Sequence, residues 1–581
     1  MQFKQTVLIL IFCPVFAFSQ TTYLPLGDKQ NILIERMEIL AQNDSILNFS
    51  KTKPYSRKST FFNLMNVYEM VTHPDVDRTG PVLSRLKNLA DKISSSRVDV
   101  YNLRSAVLNN QEWIATVAGK RNAEFNSKKP IFKTFYSTPA NLYEVHIKDF
   151  DLIINPIIQF KYMKESDNDE SLFLNSRGVD IRGRIANKIG FAASILDNQE
   201  RDPLYVQAWE DKFQSVPGAG YYKSFKGTGY DYFDARGYFT FNVTKYIDVV
   251  FGYDRNFIGN GYRSLFLSDF GNSNLFLKLN TRIWKFNYQN IFMELQQTEP
   301  RGPDRLLRKK YAAFHHLDVN VTKKLNIGLF EGVMFGRSDH FEFSYLNPII
   351  FYRSMEQQNG SYDNSVAGID FKLNILKQVQ FYGQFLLDEF NLPQIKDDDT
   401  WWANKWGLQV GAKYINALGI KNLDLQLEYN RVRPFTYSHR DSVANYTHYN
   451  QPMAHPLGAN FSETIGILRY QPAPKWTLLA KAMYWKQGLD TAGRSFGSNI
   501  FLPNTAPPRQ GDYGYVIVSG IEASTTFLSL LLSYELKENL FIEGSVTSRK
   551  FDVPSNTFPS TSTTIVAFGI RWNMNRRVFE F

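Results

Sequence analysis

The run Leu423-Asp424-Leu425-Gln426-Leu427-Glu428-Tyr429-Asn430 alternates apolar and polar residues without a break. Successive side chains of a strand point to opposite faces, so this run has one greasy face and one polar face. The pattern recurs. Leu528, Leu530, Leu532 and Tyr534 interleave with Ser529, Ser533 and Glu535, and Val179, Ile181 and Ile185 interleave with Asp180, Arg182 and Arg184. One such strand decides nothing, because in a soluble sandwich the polar face looks to water. What decides is how the strands are joined.

Tight connections fall near Asn187, Thr244, Thr281, Lys323, Lys377, Gly419, Pro474 and Glu538, each between two alternating runs of about ten residues. Between these hairpins lie longer Gly- and aromatic-rich segments, at about 199–232, 256–273, 296–310, 336–362, 389–404, 431–460 and 487–515, with two shorter ones at about 164–175 and 551–562. Short turns on one side and long loops on the other are the signature of a bacterial outer-membrane barrel. Eight turns alternating with nine loops predict about 18 antiparallel strands, with both ends of the sheet on the tight-turn, periplasmic side. The last alternating run, Val566, Phe568, Ile570 and Trp572, is the closing strand, and a short tail follows it. Closure also removes the edges that an open sheet of this size would leave unpaired.

Composition agrees. Aromatics make up 15% of the 581 residues while mean hydropathy is slightly negative. Aromatic girdles around strands that alternate between lipid and a polar lumen give that combination. The alternative is a soluble β-rich enzyme. The chain opens with Lys4, an apolar run over 7–18 and small residues at Ala17 and Ser19, the order of a secretory signal peptide at residues 1–19. Its cleavage would remove Cys13, the only cysteine, so the mature chain would form no disulfide and no thiolate metal site.

Residues 20–140 follow a different period. Pro81 opens a helix with Val82, Leu83, Leu86, Leu89, Ala90 and Ile93 on one face, and helices are also expected over about 57–71 and 98–117. These three amphipathic helices would pack together or rest against the mouth of the barrel formed by residues 141–581. Pro54 biases Lys53 toward extended backbone, which predicts a break before the second helix.

The stretch Asn347, Pro348, Ile349, Ile350, Phe351, Tyr352, Arg353, followed by Glu356, Gly360, Ser361, Asp363 and Asn364, resembles the Wzi-type capsule-assembly family. So do His448, Tyr449, Asn450, Gln451 and Pro452 with residues 455–461, Tyr23 to Gly27 (YLPLG), and Lys53 to Lys58 (KPYSRK). The resemblance spans nearly the whole mature chain and is nearest to a branch found in gliding bacteria that includes the gliding motility protein RemB. It implies an 18-stranded outer-membrane barrel with a small N-terminal helical bundle, acting in attachment or assembly of surface polysaccharide.

Candidate ligand-binding residues lie in the loops. Arg301, Arg305, Arg353, Arg433 and Arg440 could pair with carboxylate or phosphate, and Glu356 accompanies Arg353. Trp401 and Trp402 could stack on sugar faces or belong to the interfacial girdle. His448 and His455 could contact a ligand or pack within their Pro-containing loop, and Asn347, Pro348, Asp363 and Asn364 could simply shape turns. Lys309 and Lys310 read as rim residues meeting lipid headgroups. The formal net charge is +10, and loss of Lys4 leaves +9, which favours acidic polysaccharide, outer-membrane lipid and lipopolysaccharide as partners and gives no nucleic-acid signature. Motility or export machinery is a further expected partner, from the resemblance.

No cofactor and no enzyme activity are expected. Gly218 with Gly220 and Gly259 with Gly261 lack the strand and helix N-terminus that cradle phosphate. His315 and His316 are strand neighbours that point to opposite faces and cannot share a metal. A metal site is therefore not expected. The competing function is a pore, in which a lumen lined by Asp180, Arg182, Asp424, Glu428 and Lys481 conducts a solute.

Overall fold

The computed structural model describes residues 21–42, 49–74, 81–113, 123–186, 188–300, 306–337, 340–349, 351–360, 362–389, 392–491, 493–506, 508–509, 511–554 and 559–581. The expected signal peptide with Cys13, the turn residue Asn187, Arg301, Arg305, Ile350 and Ser361 lie outside the described residues.

Eighteen strands close into one antiparallel barrel. In chain order they are β1 Phe150–Glu165, β2 Leu172–Ile185, β3 Ile189–Arg201, β4 Gly229–Thr244, β5 Ile247–Asp254 and β6 Asn274–Ile283. Next come β7 Phe286–Gln296, β8 Lys309–Asn320, β9 Leu325–Phe335, β10 Asn364–Ile375, β11 Val379–Glu389 and β12 Lys405–Tyr414. The circuit ends with β13 Leu423–Val432, β14 Phe461–Tyr470, β15 Trp476–Leu489, β16 Ile521–Lys537, β17 Leu540–Asp552 and β18 Thr561–Trp572. The barrel shuts where β18 pairs with β1, from Ile565 opposite Glu165 to Trp572 opposite Ile158. Most hairpin turns fall where expected. The one expected at Thr281 sits at Trp284 and Lys285 instead, Thr281 being inside β6 and paired with Tyr288.

The alternation is inverted relative to a soluble protein. On β13, Asp424, Glu428 and Asn430 are buried while Leu427 is 64% exposed. On β16, Leu528, Leu530 and Leu532 are each about half exposed, and Val566, Phe568 and Ile570 of β18 continue the outer belt. An apolar exterior around a polar interior is the form in which a strand sheet satisfies its backbone within lipid.

Four helices precede the barrel among the described residues: α1 Lys29–Ala41, α2 Arg57–Thr72, α3 Pro81–Ser94 and α4 Arg97–Leu108. The third expected helix, over 98–117, ends at Leu108, and residues 114–117 lie outside the described residues; α1 has no counterpart among the expected helices. The Asp28 carboxylate caps α1 by accepting from the Gln30 N–H, and Ser96 caps α4 by accepting from Asp99. Leu33, Met37, Phe61, Leu64, Leu86, Leu89, Ile93, Leu103 and Val107 form their shared core. The helices do both things the sequence left open, packing together and sealing the tight-turn mouth. Lys29 pairs with Glu535 and Glu538 at 2.6 Å, Arg36 with Asp424, and Glu38 with Lys372 at 2.6 Å. Tight-turn residues Asn422, Gln471 and Asn539 hydrogen-bond Ser96, Asn102 and Asn109.

Candidate functional site

The lumen is filled at three levels. Above the helical plug, residues 49–57 run inward, and Thr52 and Lys53 pair as a short ladder with Ile258 and Phe257 of the 255–273 loop. Lys51, 1% exposed, ion-pairs with Asp370 and, at 3.5 Å, with Asp318 of the wall. That loop folds into the barrel. Gly261 makes the approach feasible, because a Cβ there would lie 2.6 Å from both the Arg263 carbonyl and Glu428 Oε2. The Tyr262 and Arg263 N–H groups donate to Glu428 at 2.6 and 3.0 Å, and Phe266 stacks on Phe330 at 4.5 Å.

Residues after β18 form the third level. They turn back into the barrel and reach toward the long-loop end, where Phe581 packs on Tyr205, Trp209 and Phe270. On the way Arg576 and Arg571 pair with Glu543, and Glu580 pairs with Lys481 at 2.6 Å. All five expected lumen residues face inward and are engaged. Arg182 donates to Glu112 at 3.0 Å and lies 4.0 Å from Asp180, Asp424 and Lys481 are paired as above, and Glu428 holds the folded-in loop. Charges that would line a pore are spent instead on the elements that close it.

The long loops build a knit surface at the opposite end from the plug. Trp402 packs edge-on against Phe435 at 5.6 Å, Phe435 against Tyr515 at 5.3 Å, and the Arg509 guanidinium lies 3.7 Å over Trp402. Trp401 adjoins at 6.3 Å, and Tyr513, 43% exposed, donates to Gln394. Nearby in the 433–460 loop, exposed Arg440 lies 4.8 Å over Tyr362, which is 51% exposed. Flat aromatic faces beside guanidinium groups can stack a sugar ring and pair an acidic substituent.

The sequence candidates divide sharply. Trp401, Trp402 and Arg440 lie on this surface, although one face of Trp402 is covered by Arg509. Arg433 is only 7% exposed and donates to four carbonyls, those of Asn404 at 2.6 Å, Tyr515 at 2.9 Å, Asp399 at 3.1 Å and Trp401 at 3.3 Å, so it staples three loops together. His448, 4% exposed, bridges the Gln296 N–H and the Ser273 carbonyl, each at 3.0 Å, and burial lowers its imidazole to about 4. His455 is buried against Glu463 at 2.7 Å, and burial lowers it as well. Lys310 points into the barrel, fully buried, and donates to Asn445 and Thr447; the rim position read for it is corrected. Lys309 does face outward, paired with Glu294 at 2.8 Å.

Arg353 and Glu356 stand elsewhere. They sit on a short helix, α6 Tyr352–Gln358, which follows α5 Leu204–Phe213 in the chain and lies against the outer wall. On β8, Phe314 and His316 face the lumen, so Tyr311, Ala313 and His315 face out, and Tyr345 and Tyr352 cover them. Arg353 pairs with Glu356 there, and its N–H donates to Glu331. The described part of the 336–363 loop is thus folded down over the barrel exterior, which no local sequence signal discloses. Tyr362, Arg509 and Tyr513 were missed because single aromatic or basic residues in long loops carry no spacing pattern.

One family model, that of the capsule assembly protein Wzi, matches residues 279–520. No curated protein matches the chain by sequence. Among solved structures, Wzi of Escherichia coli is similar over 96% of this chain and 100% of its own, with 12% identity and a TM-score of 0.55. That protein is described as an outer membrane protein involved in group 1 capsule assembly and a carbohydrate-binding β-barrel. OprD of Pseudomonas aeruginosa is similar over 73% of this chain and 96% of its own, with 11% identity and a TM-score of 0.40. OccAB2 of Acinetobacter baumannii is similar over 72% and 98%, with 9% identity and a TM-score of 0.40.

Proposed function

We propose that this chain is an outer-membrane β-barrel that binds surface polysaccharide and helps to attach or assemble it as a capsule-like layer. The observation that carries the reading is the closed lumen under a packed, aromatic and basic loop surface. Buried ion pairs tie the plug, the 255–273 loop and the tail to the wall, so passage of a solute would require breaking several of them. Removing one partner of a buried pair costs about 3–5 kcal/mol. The loops remain as the working surface. The match of residues 279–520 to the capsule assembly family, and the likeness to a carbohydrate-binding barrel, support the same ligand class.

On this reading the plug end faces the periplasm, the loops face outward, and acidic polysaccharide and lipopolysaccharide are the partners. Deleting the gene and quantifying cell-bound against shed polysaccharide tests it. A shift from bound to shed is expected; an unchanged ratio contradicts the proposal. The resemblance to the RemB branch extends the reading to gliding motility and to contact with motility or export machinery. That extension expects slower colony spreading in the same deletion strain.

A further inference from the structure

Beyond polysaccharide binding, three carboxylates meet at the long-loop end of the lumen. Glu200 is the last inward residue of β3, Asp202 follows it, and Glu210 lies on α5 in the next loop; all three are 0% exposed. One oxygen from each lies within 4.8 Å of the others. Glu200 is served, with Arg577 donating at 2.6 Å and Tyr232 at 2.9 Å. Asp202 and Glu210 are less well met: none of their four buried oxygens has a donor in good hydrogen-bond geometry, and their polar neighbours are each other and, for Glu210, the Tyr230 hydroxyl. Arg577 and, less strongly, Lys161 on β1 face Asp202 as more distant cations.

Such an arrangement is costly as it stands. An ionised carboxylate removed from water costs several kcal/mol unless a counter-charge or donor meets it. Two remedies exist. The carboxyls can hold protons, and burial does push both of them up, Glu210 to about 11. Alternatively a hard cation can sit among them. Calcium takes oxygen ligands at about 2.3–2.6 Å, so any two oxygens of one coordination shell lie no more than roughly 5 Å apart, a limit that these three residues meet. A proton shared between Asp202 and Glu210 would bridge that one pair, whereas a cation would meet oxygens of all three residues together.

We propose that Glu200, Asp202 and Glu210 form a calcium-class divalent cation site that fastens α5 and the 202–228 loop to the barrel wall. The adjacent histidines predict no metal site, and the spacing of these carboxylates at 200, 202 and 210 matches no ligand motif. Arg577 on Glu200 brings the tail to the same point, so the ion would lock strand, loop and tail together. Cation and proton compete for the same oxygens, so affinity should rise with pH.

The test uses full-length protein in detergent, stripped with EDTA, and terbium as a luminescent probe of calcium sites. Tyr230, whose side chain neighbours Glu210, and Tyr232 beside Glu200 would sensitise it. One terbium per chain, displaced by calcium and weakened by roughly tenfold or more in Asp202→Asn with Glu210→Gln, is expected. Heat-modifiable migration of the variant shows whether it is folded. If the double variant fails to fold, calcium stoichiometry on the stripped and reloaded wild type decides. Substoichiometric calcium there, or terbium binding equal in wild type and folded variant, would overturn the site and leave the carboxyls protonated. A polysaccharide assay run in parallel separates this outcome from failure of the proposed function.

Discussion

The ammonium of Lys481 on β15 lies 2.6 Å from Oε1 of Glu580, a residue of the segment that re-enters the barrel after its last strand. The same Glu580 accepts from Tyr262, so wall, folded-in loop and tail meet at one carboxylate. Closure is therefore redundant, with a helical plug below and this junction above it. Planar-bilayer recordings of the intact protein are expected to show no sustained conductance. Removing about residues 28–130 should leave a heat-modifiable barrel that still conducts little, and removing residues 573–581 as well should raise conductance. Steady current through the intact protein would favour the pore.

Topology gives a second expectation. Residues 321–324, between β8 and β9, are exposed at the tight-turn end, and 511–514 are exposed in a long loop. An epitope inserted between Asp512 and Tyr513 should be labelled on intact cells, and one between Lys323 and Lys324 only after permeabilisation. Tyr446, also in a long loop, is fully buried and donates to the Phe266 carbonyl, so an insertion there would break the fold instead of reporting it. Labelling at Lys323 on intact cells would invert the orientation.

Acid should loosen the long loops through His448. Its imidazole is lowered to about 4 in the fold, against an ordinary 6.5. Between those values the unfolded chain binds the proton and the folded chain does not, so stability rises with pH across that window and is lost on acidification. The loss by about pH 4 is on the order of 3 kcal/mol. The heat-modifiability midpoint should fall from pH 7 to pH 4.5, and fall less in His448→Asn. An equal drop in both proteins would remove His448 as the cause.

The two arginines of the 433–460 loop should separate structure from binding. Arg433→Ala strips a charged donor from four carbonyls and is expected to make the 392–404 and 490–520 loops protease-sensitive, each lost bond to a charged group contributing about 1.5–3 kcal/mol. Arg440→Ala should leave protease resistance unchanged and reduce only the salt-sensitive part of polysaccharide binding. The opposite assignment would mean that Arg440, not Arg433, holds the loops.

Much of this was legible beforehand. The period of two in residues such as 423–430, and the alternation of short and long joins, specify a closed barrel because a lipid-facing wall imposes them on every strand. Helix α1 was not legible. Gln30, Arg36 and Glu38 are buried in it against a polar lumen, so its inward face lacks the apolar stripe that marks a helix on an apolar core. The same inversion hid the lumen contacts: Asp424 and Lys481 read as pore lining because nothing near them in sequence names Arg36 or Glu580 as partners. Loop arginines looked alike as a class, yet Arg433 is buried and Arg440 exposed, a difference set by where three loops converge and not by either residue's neighbours.

Binding of acidic surface polysaccharide by the purified protein is the measurement nearest to the central claim. Intact protein in detergent should retain the polymer at low salt and release it as salt screens Arg440, Arg509 and their neighbours. Replacing Trp401 with alanine should lower affinity with little change in the salt slope, because the lost contact carries no charge. Retention at low salt that declines with added salt is the expected result; no retention at low salt would contradict the account.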